Sequence, residues 1–210
     1  FLRTGLIKSN TSAKDIADLS NHRQVLKHIF TDFDNLQLSV ESIKLLHGEL
    51  MKDRVQWGTF DPVLGGPGEL KLENNYGTRK GAMKAYMDAS KVKGALTELC
   101  NKTNEKLRAP GSVVEAINRF HFEFLNDIHP FSDGNGRMAR LLHNMLLLKN
   151  GYPVVIIDSR SKRQYVDSLI DQEKNPDQRS FEVFMNRTLE TTLDSAIKKF
   201  NKNRYPGMRI

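Results

Sequence analysis

His129-Pro130-Phe131-Ser132-Asp133-Gly134-Asn135-Gly136-Arg137-Met138-Ala139-Arg140 is the stretch on which the reading of this 210-residue chain turns. It crowds a histidine, an aspartate, two glycines and two arginines together. Apolar residues recur at helical spacing on both sides, from Val113 to Ile128 and from Met138 to Leu148. The stretch therefore reads as a loop between two helices that runs into the N-terminus of the second. Such an end presents unpaired N–H groups and the positive end of the helix dipole to an anion.

Each side chain has a chemistry suited to that place. His129 titrates near neutral pH and can take a proton from an attacking hydroxyl. Asp133 offers hard oxygen ligands, which suit a magnesium ion that also keeps phosphate and water ligands. Gly134 and Gly136 permit φ > 0 and close backbone approach, so successive N–H groups can converge on phosphate oxygens. The Asn135 amide can donate to the same group. Arg137 and Arg140, three apart on the first turn of the helix, share a face and can both fork onto phosphates. Asp-Gly-Asn-Gly alone is an ordinary turn sequence. An EF-hand loop is excluded because Met138 stands where its closing glutamate belongs. Two arginines downstream of a histidine and an aspartate instead describe a site that holds a metal-bound polyphosphate and activates a nucleophile.

The composition sets the frame. Hydrophobic residues make up 39% and charged residues 27%, which is the balance of a soluble globular chain with one core. No apolar run is long enough to span a membrane, and Phe1 to Ile7 lack the layout of a secretory signal. Because residue 1 is Phe, the sequence reads as an excised piece, and its compartment is not legible. The single cysteine, Cys100, excludes an internal disulfide and a cysteine-based zinc site; its spacing with Leu96 and Leu99 marks it as a buried thiol. A net charge of +7 suits a polyphosphate site as well as a nucleic acid, but no basic stripe interleaved with aromatics is present, so nucleic acid is not expected as a partner.

Along the chain, Asn10-Thr11-Ser12 is capping chemistry for a helix from about Ala13 to Phe30, and Ser39 to Met51 carries a second apolar face. His22, His28 and His47 fall on separate turns and read as satisfied core or surface imidazoles. Between Gly58 and Met87 the texture changes. Gly65-Gly66-Pro67-Gly68 signals a turn, Glu69-Leu70-Lys71-Leu72 alternates like a short strand, and Asn74-Asn75 with Gly77 signals another turn. A small β-hairpin with long loops is expected there. Further helices follow over Val92 to Thr103, Val113 to Ile128, the segment after the motif, Ser161 to Gln172 and Ser180 to Phe200, with a polar tail from Asn201 to Ile210.

The motif resembles that of the Fic family, His-Pro-Phe-x-Asp-Gly-Asn-Gly-Arg-x-x-Arg, at every specified position from His129 to Arg140. Asn118 to Ile128 before it, and Gly151-Tyr152-Pro153 after it, are similar too. The resemblance implies an all-α Fic fold, a helical core with a small β-hairpin flap, over about residues 13–200; the flap would lie at about 65–87, the motif at 129–140 and a tail at 201–210. It also implies transfer of AMP from ATP to a Ser, Thr or Tyr hydroxyl of a target protein. His129 would be the base, Asp133 the ligand of Mg2+, and Asn135 with the Gly134 and Gly136 backbone the α-phosphate cradle. Arg137 and Arg140 would hold the β- and γ-phosphates. The flap, beginning at Gly68-Glu69-Leu70-Lys71 with lysine where an arginine is more usual, would dock the target by strand addition. Tyr165 resembles a residue of the nucleoside pocket, and core packing explains it equally well. A homodimer is compatible with the resemblance. Transfer of UMP, phosphocholine or phosphate, or a non-catalytic nucleotide-binding module, are the alternative readings.

The departure lies at the N-terminus. Residues 1–12 resemble the family's inhibitory helix, Ser/Thr-x-x-x-Glu-Gly/Asn, whose glutamate pairs with the second motif arginine. Here Lys8 stands four residues after Thr4, in the glutamate's place, and no glutamate in the chain has Ser or Thr four residues before it. Two cations repel unless an anion lies between them, so Lys8 cannot restrain Arg140. The expectation is an AMP transferase without this inhibition. Self-labelling with ATP carrying a label on the α-phosphate should therefore fall severalfold in Lys8→Glu, and equal labelling of the two proteins would refute the idea.

Overall fold

In the computed structural model, which describes residues 12–54, 62–79 and 81–204, seven α-helices pack around a single core and one β-hairpin stands largely exposed beside it. The first helix, α1 (Ala13–Asp32), starts where its capping chemistry placed it: the Ser12 hydroxyl accepts from the Asp15 N–H at 3.1 Å. Ser39 caps α2 (Val40–Met51) in the same way through the Ser42 N–H. Val25 and Ile29 of α1 and Ile43, Leu46 and Leu50 of α2 are wholly or almost wholly buried, so the two helices meet along their apolar stripes. The polar break between them is pinned by a residue more than a hundred positions further along the chain. Lys149 donates at 2.9 Å to each of the carbonyls of Phe33, Asp34 and Leu36.

The centre of the fold is the segment that leads into the motif. After α3 (Ala89–Arg108), α4 (Val113–Phe122) packs on α3 on one side and continues without a break into a π-helical turn, Glu123–Ile128. Ile117, Phe120 and Phe124 on this segment have no exposed surface, and burying each such side chain is worth about 1.5–3 kcal/mol. The wider π turn gains one residue over an α-helix, a feature that recurs at functional sites. Helix α5 (Asn135–Lys149) lies against α4, with Leu141, Leu142, Met145 and Leu146 in the core. It ends as the glycine and proline signals require: Gly151 adopts φ +78°, and its N–H closes on the Leu148 carbonyl at 3.0 Å. Helices α6 (Lys162–Lys174) and α7 (Ser180–Arg204) complete the bundle through Tyr165, Leu169, Phe181, Met185 and Leu189. Cys100 is buried on α3, and burial pushes its thiol up to about 12.

Two expectations are corrected. Helix α7 continues past Phe200 to Arg204, so the tail does not begin at Asn201; residues 205–210 lie outside the described residues. The hairpin also lies later than the alternation suggested. Its antiparallel strands are β1 (Tyr76–Arg79) and β2 (Ala82–Ala85), with Tyr76 opposite Ala85. Residues 69–72 form no strand because their N–H groups are taken locally and by the motif loop: Glu69 by Gly66, Lys71 by Pro130 and Leu72 by Leu64. The burial of this segment is also the reverse of its hydropathy, with Lys71 inside and Leu72 62% exposed.

The triple contact of Lys149 implies a measurable cost. Lys149→Met should lower stability by about 1 kcal/mol, the scale of hydrogen bonds to a charged donor at an exposed position, read as a lower urea midpoint. An unchanged midpoint would show that the loop after α1 holds without it.

Candidate functional site

His129 leaves the π turn in the left-handed conformation, φ 49° and ψ 64°. For a residue other than glycine this costs about 1 kcal/mol or more and persists only when its surroundings fix it. Two bonds do so from within: its N–H donates to the Phe124 carbonyl at 2.9 Å, and its Nδ1 lies 2.8 Å from the Leu125 carbonyl. A carbonyl can only accept, so Nδ1 carries the proton and Nε2 the lone pair. Tyr86, just after β2, stacks face to face on the imidazole with ring centroids 3.7 Å apart. The sequence reading missed Tyr86, since its partner lies 43 residues away.

The loop beyond His129 folds into the helix start that the glycines foretold, with different uses for individual groups. Gly134 takes φ +79° as the residue before α5, and an added Cβ would lie 3.0 Å from Met51 Sδ and 3.3 Å from His47 Nε2. Any side chain there would be strained by the positive φ and would crowd both neighbours. Gly136, by contrast, is an ordinary helical residue and needs no positive φ. The Asn135 side chain is turned inward: its Oδ1 accepts from the Phe131 N–H at 2.9 Å and its Nδ2 donates to the Phe131 carbonyl at 2.7 Å. Being 2% exposed, it shapes the loop, and only its backbone N–H faces the helix end. Asp133 keeps a largely exposed carboxylate, one oxygen of which accepts from the Gly134 N–H at 2.6 Å.

His47 joins this loop to the segment before the hairpin. The Gly68 N–H donates to its Nδ1 at 3.0 Å, so its Nε2 carries hydrogen toward the Asp133 carbonyl at 3.1 Å. Its ring stacks on buried Phe131 at 3.6 Å, nearly parallel. The expectation of a satisfied core imidazole fits His47, but what it satisfies was invisible to local periodicity. His28 meets Glu49 at 3.0 Å in a partly buried contact.

The two arginines border two hollows. One, of about 740 Å³, is lined by Asp18, His22, Arg137, Arg140, Phe30 and Ile157 among others. The other, of about 400 Å³, is lined by Thr78, Tyr86, Gly136, Arg140, Tyr165 and Leu169 among others. Arg140 borders both and, among the described residues, pairs with no carboxylate. Arg137 does, with Asp18 at 3.4 Å and Asp133 at 3.8 Å. Tyr165 is 4% exposed, so it is a core residue that also borders the smaller hollow, with its hydroxyl 2.7 Å from His121 Nε2. Lys8 lies outside the described residues. The hairpin is tied to α6 by the ion pair Lys84–Glu173.

This is the architecture of a helical domain with one β-hairpin, and comparison with known proteins gives the family. Residues 37–147 match the Fic/DOC family, and the chain belongs to it. It is 43% identical over 195 residues to the protein adenylyltransferase Fic of Drosophila yakuba and 29% identical over 197 residues to that of Aedes aegypti. Each match covers 92% of this chain but 31% of the relative, so the chain spans about a third of their length. A Fic domain-containing signaling protein from Bacteroides thetaiotaomicron superposes with a TM-score of 0.78 at 27% identity, covering 94% of this chain and 76% of that one. Fic-1 from C. elegans shares the fold with a TM-score of 0.77 at 21% identity, over 96% and 57% of the two chains.

Four imidazoles around this site are held neutral. Burial, aided by Arg140 and Arg137, lowers His22 to about 4; burial, aided by Arg137 against the Asp133 contacts, lowers His47 to about 4. Burial alone takes His143 to about 3, and burial with His143 and Arg140 beside it holds His121 well below its usual range. In the unfolded chain these groups titrate near 6.5. As the pH falls from about 6.5 toward 4, the unfolded chain binds protons that the fold refuses. Stability is thus complete above pH 6.5 and declines below it. The thermal midpoint should drop by roughly 5–10 °C between pH 7 and 5, and His47→Asn should make the decline shallower. A flat profile would contradict this burial of neutral rings.

Proposed function

We propose that the chain is the catalytic domain of a protein adenylyltransferase, moving AMP from ATP to a hydroxyl of a target protein with release of pyrophosphate. The observation that carries the reading is the tautomer of His129: Nδ1–H is bound to the Leu125 carbonyl, so the lone pair, and with it the capacity to accept a proton, is on Nε2. In the reaction a target hydroxyl oxygen attacks the α-phosphorus, the bond to the bridging oxygen of the β-phosphate breaks, and the hydroxyl proton passes to His129 Nε2. The N–H groups of the first turn of α5, at Asn135, Gly136 and Arg137, suit the α-phosphate. Arg137 and Arg140 suit the β- and γ-phosphates, and the hollow bordered by Gly136, Tyr165 and Leu169 suits the nucleoside.

Asp133 fits Mg2+. Its carboxylate is 59% exposed at the mouth of the helix end, and one or two carboxylates with phosphates and water are what this ion takes. When bound there, the ion would neutralise phosphate charge. Arg137 is held by Asp18 and Asp133 and must exchange them for phosphate, whereas Arg140 has no such competitor among the described residues. That supports the expectation built on Lys8, with residues 1–12 as a regulatory segment that does not restrain Arg140. The hairpin, where Met83 is 78% exposed, suits strand addition by the target. Mass spectrometry after incubation with ATP and Mg2+ tests the reading: addition of AMP is expected, while phosphate or no addition would sink it. His129→Ala should lose about 10²–10⁴-fold in labelling rate, the usual contribution of a positioned base.

A further inference from the structure

A buried ammonium sits under the loop that carries His129. Lys71 is 3% exposed, and its Nζ donates to Asn75 Oδ1 at 2.7 Å and to the carbonyl of Ile128, the residue before His129, at 3.3 Å. Its backbone N–H donates to the Pro130 carbonyl at 2.9 Å. Asn75, oriented by the lysine, donates its Nδ2 to the Phe131 carbonyl at 3.0 Å. The carbonyls on both sides of His129 are thereby fixed by one short segment, residues 71–75.

An ammonium is an expensive way to fill an interior. Burial lowers Lys71 to about 8 even though Asp88 favours its charge, and an unbranched apolar side chain would fill the same space without desolvating a cation. What an apolar side chain cannot do is bind carbonyl oxygens. His129 is held in a conformation that a residue other than glycine rarely adopts, so its neighbours must be restrained or the backbone will relax. Lys71 borders neither hollow, so its effect is confined to the loop.

We propose that Lys71, together with Asn75, is a positioning residue for the reaction: by holding the Ile128, Pro130 and Phe131 carbonyls it keeps His129 left-handed and its imidazole aimed at the helix end. The inference rests on the reading of His129 as the base. Misplacing a reacting group by an ångström costs on the order of 10²-fold in rate, and the loss should fall on the chemical step while nucleotide binding is spared.

The test is self-labelling of the full chain with ATP labelled at the α-phosphate, in wild type, Lys71→Met, Lys71→Arg, Asn75→Ala and His129→Ala. Two quantities are read: the maximal rate at saturating ATP and the half-saturating ATP concentration. Lys71→Met and Asn75→Ala should lose roughly 10- to 100-fold in maximal rate with the half-saturating concentration unchanged. Lys71→Arg should recover most of the rate, because a guanidinium can also donate to these carbonyls. Thermal unfolding establishes that each variant is folded, and if Lys71→Met is not, Asn75→Ala decides. A wild-type rate in Lys71→Met or Asn75→Ala overturns the proposal, as does a loss confined to ATP affinity. If His129→Ala labels like wild type, it is the reading of the base that fails; an inactive His129→Ala beside an active Lys71→Met refutes the positioning role alone.

Discussion

At His129 the chain leaves a helix and turns toward the start of another, and the turn is made by a residue with a Cβ in left-handed conformation. The π turn before it supplies two carbonyls one residue apart, Phe124 for the backbone N–H and Leu125 for the ring. A single helical segment thus sets both the direction of the chain and the protonation pattern of the imidazole. The motif loop, the start of α5 and the arginines on its first two turns all take their positions from that reversal. Buried Phe120 and Phe124 anchor the segment in the core, so the geometry of the site is a consequence of packing.

Much of this was legible in the sequence because the relevant physics is local. Ser12 and Ser39 cap their helices, the stripe from Val113 to Ile128 is the core helix, and Gly134 sits at a positive φ where a Cβ would be strained and crowded. Illegible were contacts between distant segments. Nothing near His47 announces a bond to a carbonyl 86 residues away, and nothing near Asn75 announces one to Phe131. The alternation at Glu69 to Leu72 misled for the same reason: a strand pattern means a strand only if a partner strand is available, and here the motif loop takes the Lys71 N–H instead. The inward turn of Asn135 could not be foreseen either, since an amide serves equally as phosphate donor or as loop brace.

Charge around the two arginines is arranged asymmetrically. Arg137 rests against carboxylates from α1 and from the motif itself, whereas Arg140, among the described residues, pairs with no carboxylate and lies near the neutral rings of His22 and His121. His22 and His121, both near Arg140, are kept uncharged in part by that arginine, so the cation suppresses other positive charge nearby. A polyanion spanning both arginines would meet one that must first give up a partner and one that need not.

The parallel stack of Tyr86 on His129 has a stereochemical side. The lone pair on Nε2 lies in the plane of its own ring, and that plane is set by a tyrosine at the foot of the hairpin. If His129 is the base, as proposed, a hydroxyl surrendering its proton there would come in edge-on, since the face that Tyr86 covers presents an aromatic surface. On that reading the hairpin would bear on the angle of entry to Nε2 as well as on the place where a partner strand could lie. In the proposed transfer, where attacking and leaving oxygens must be in line, that angle would bear on how the incoming hydroxyl is oriented.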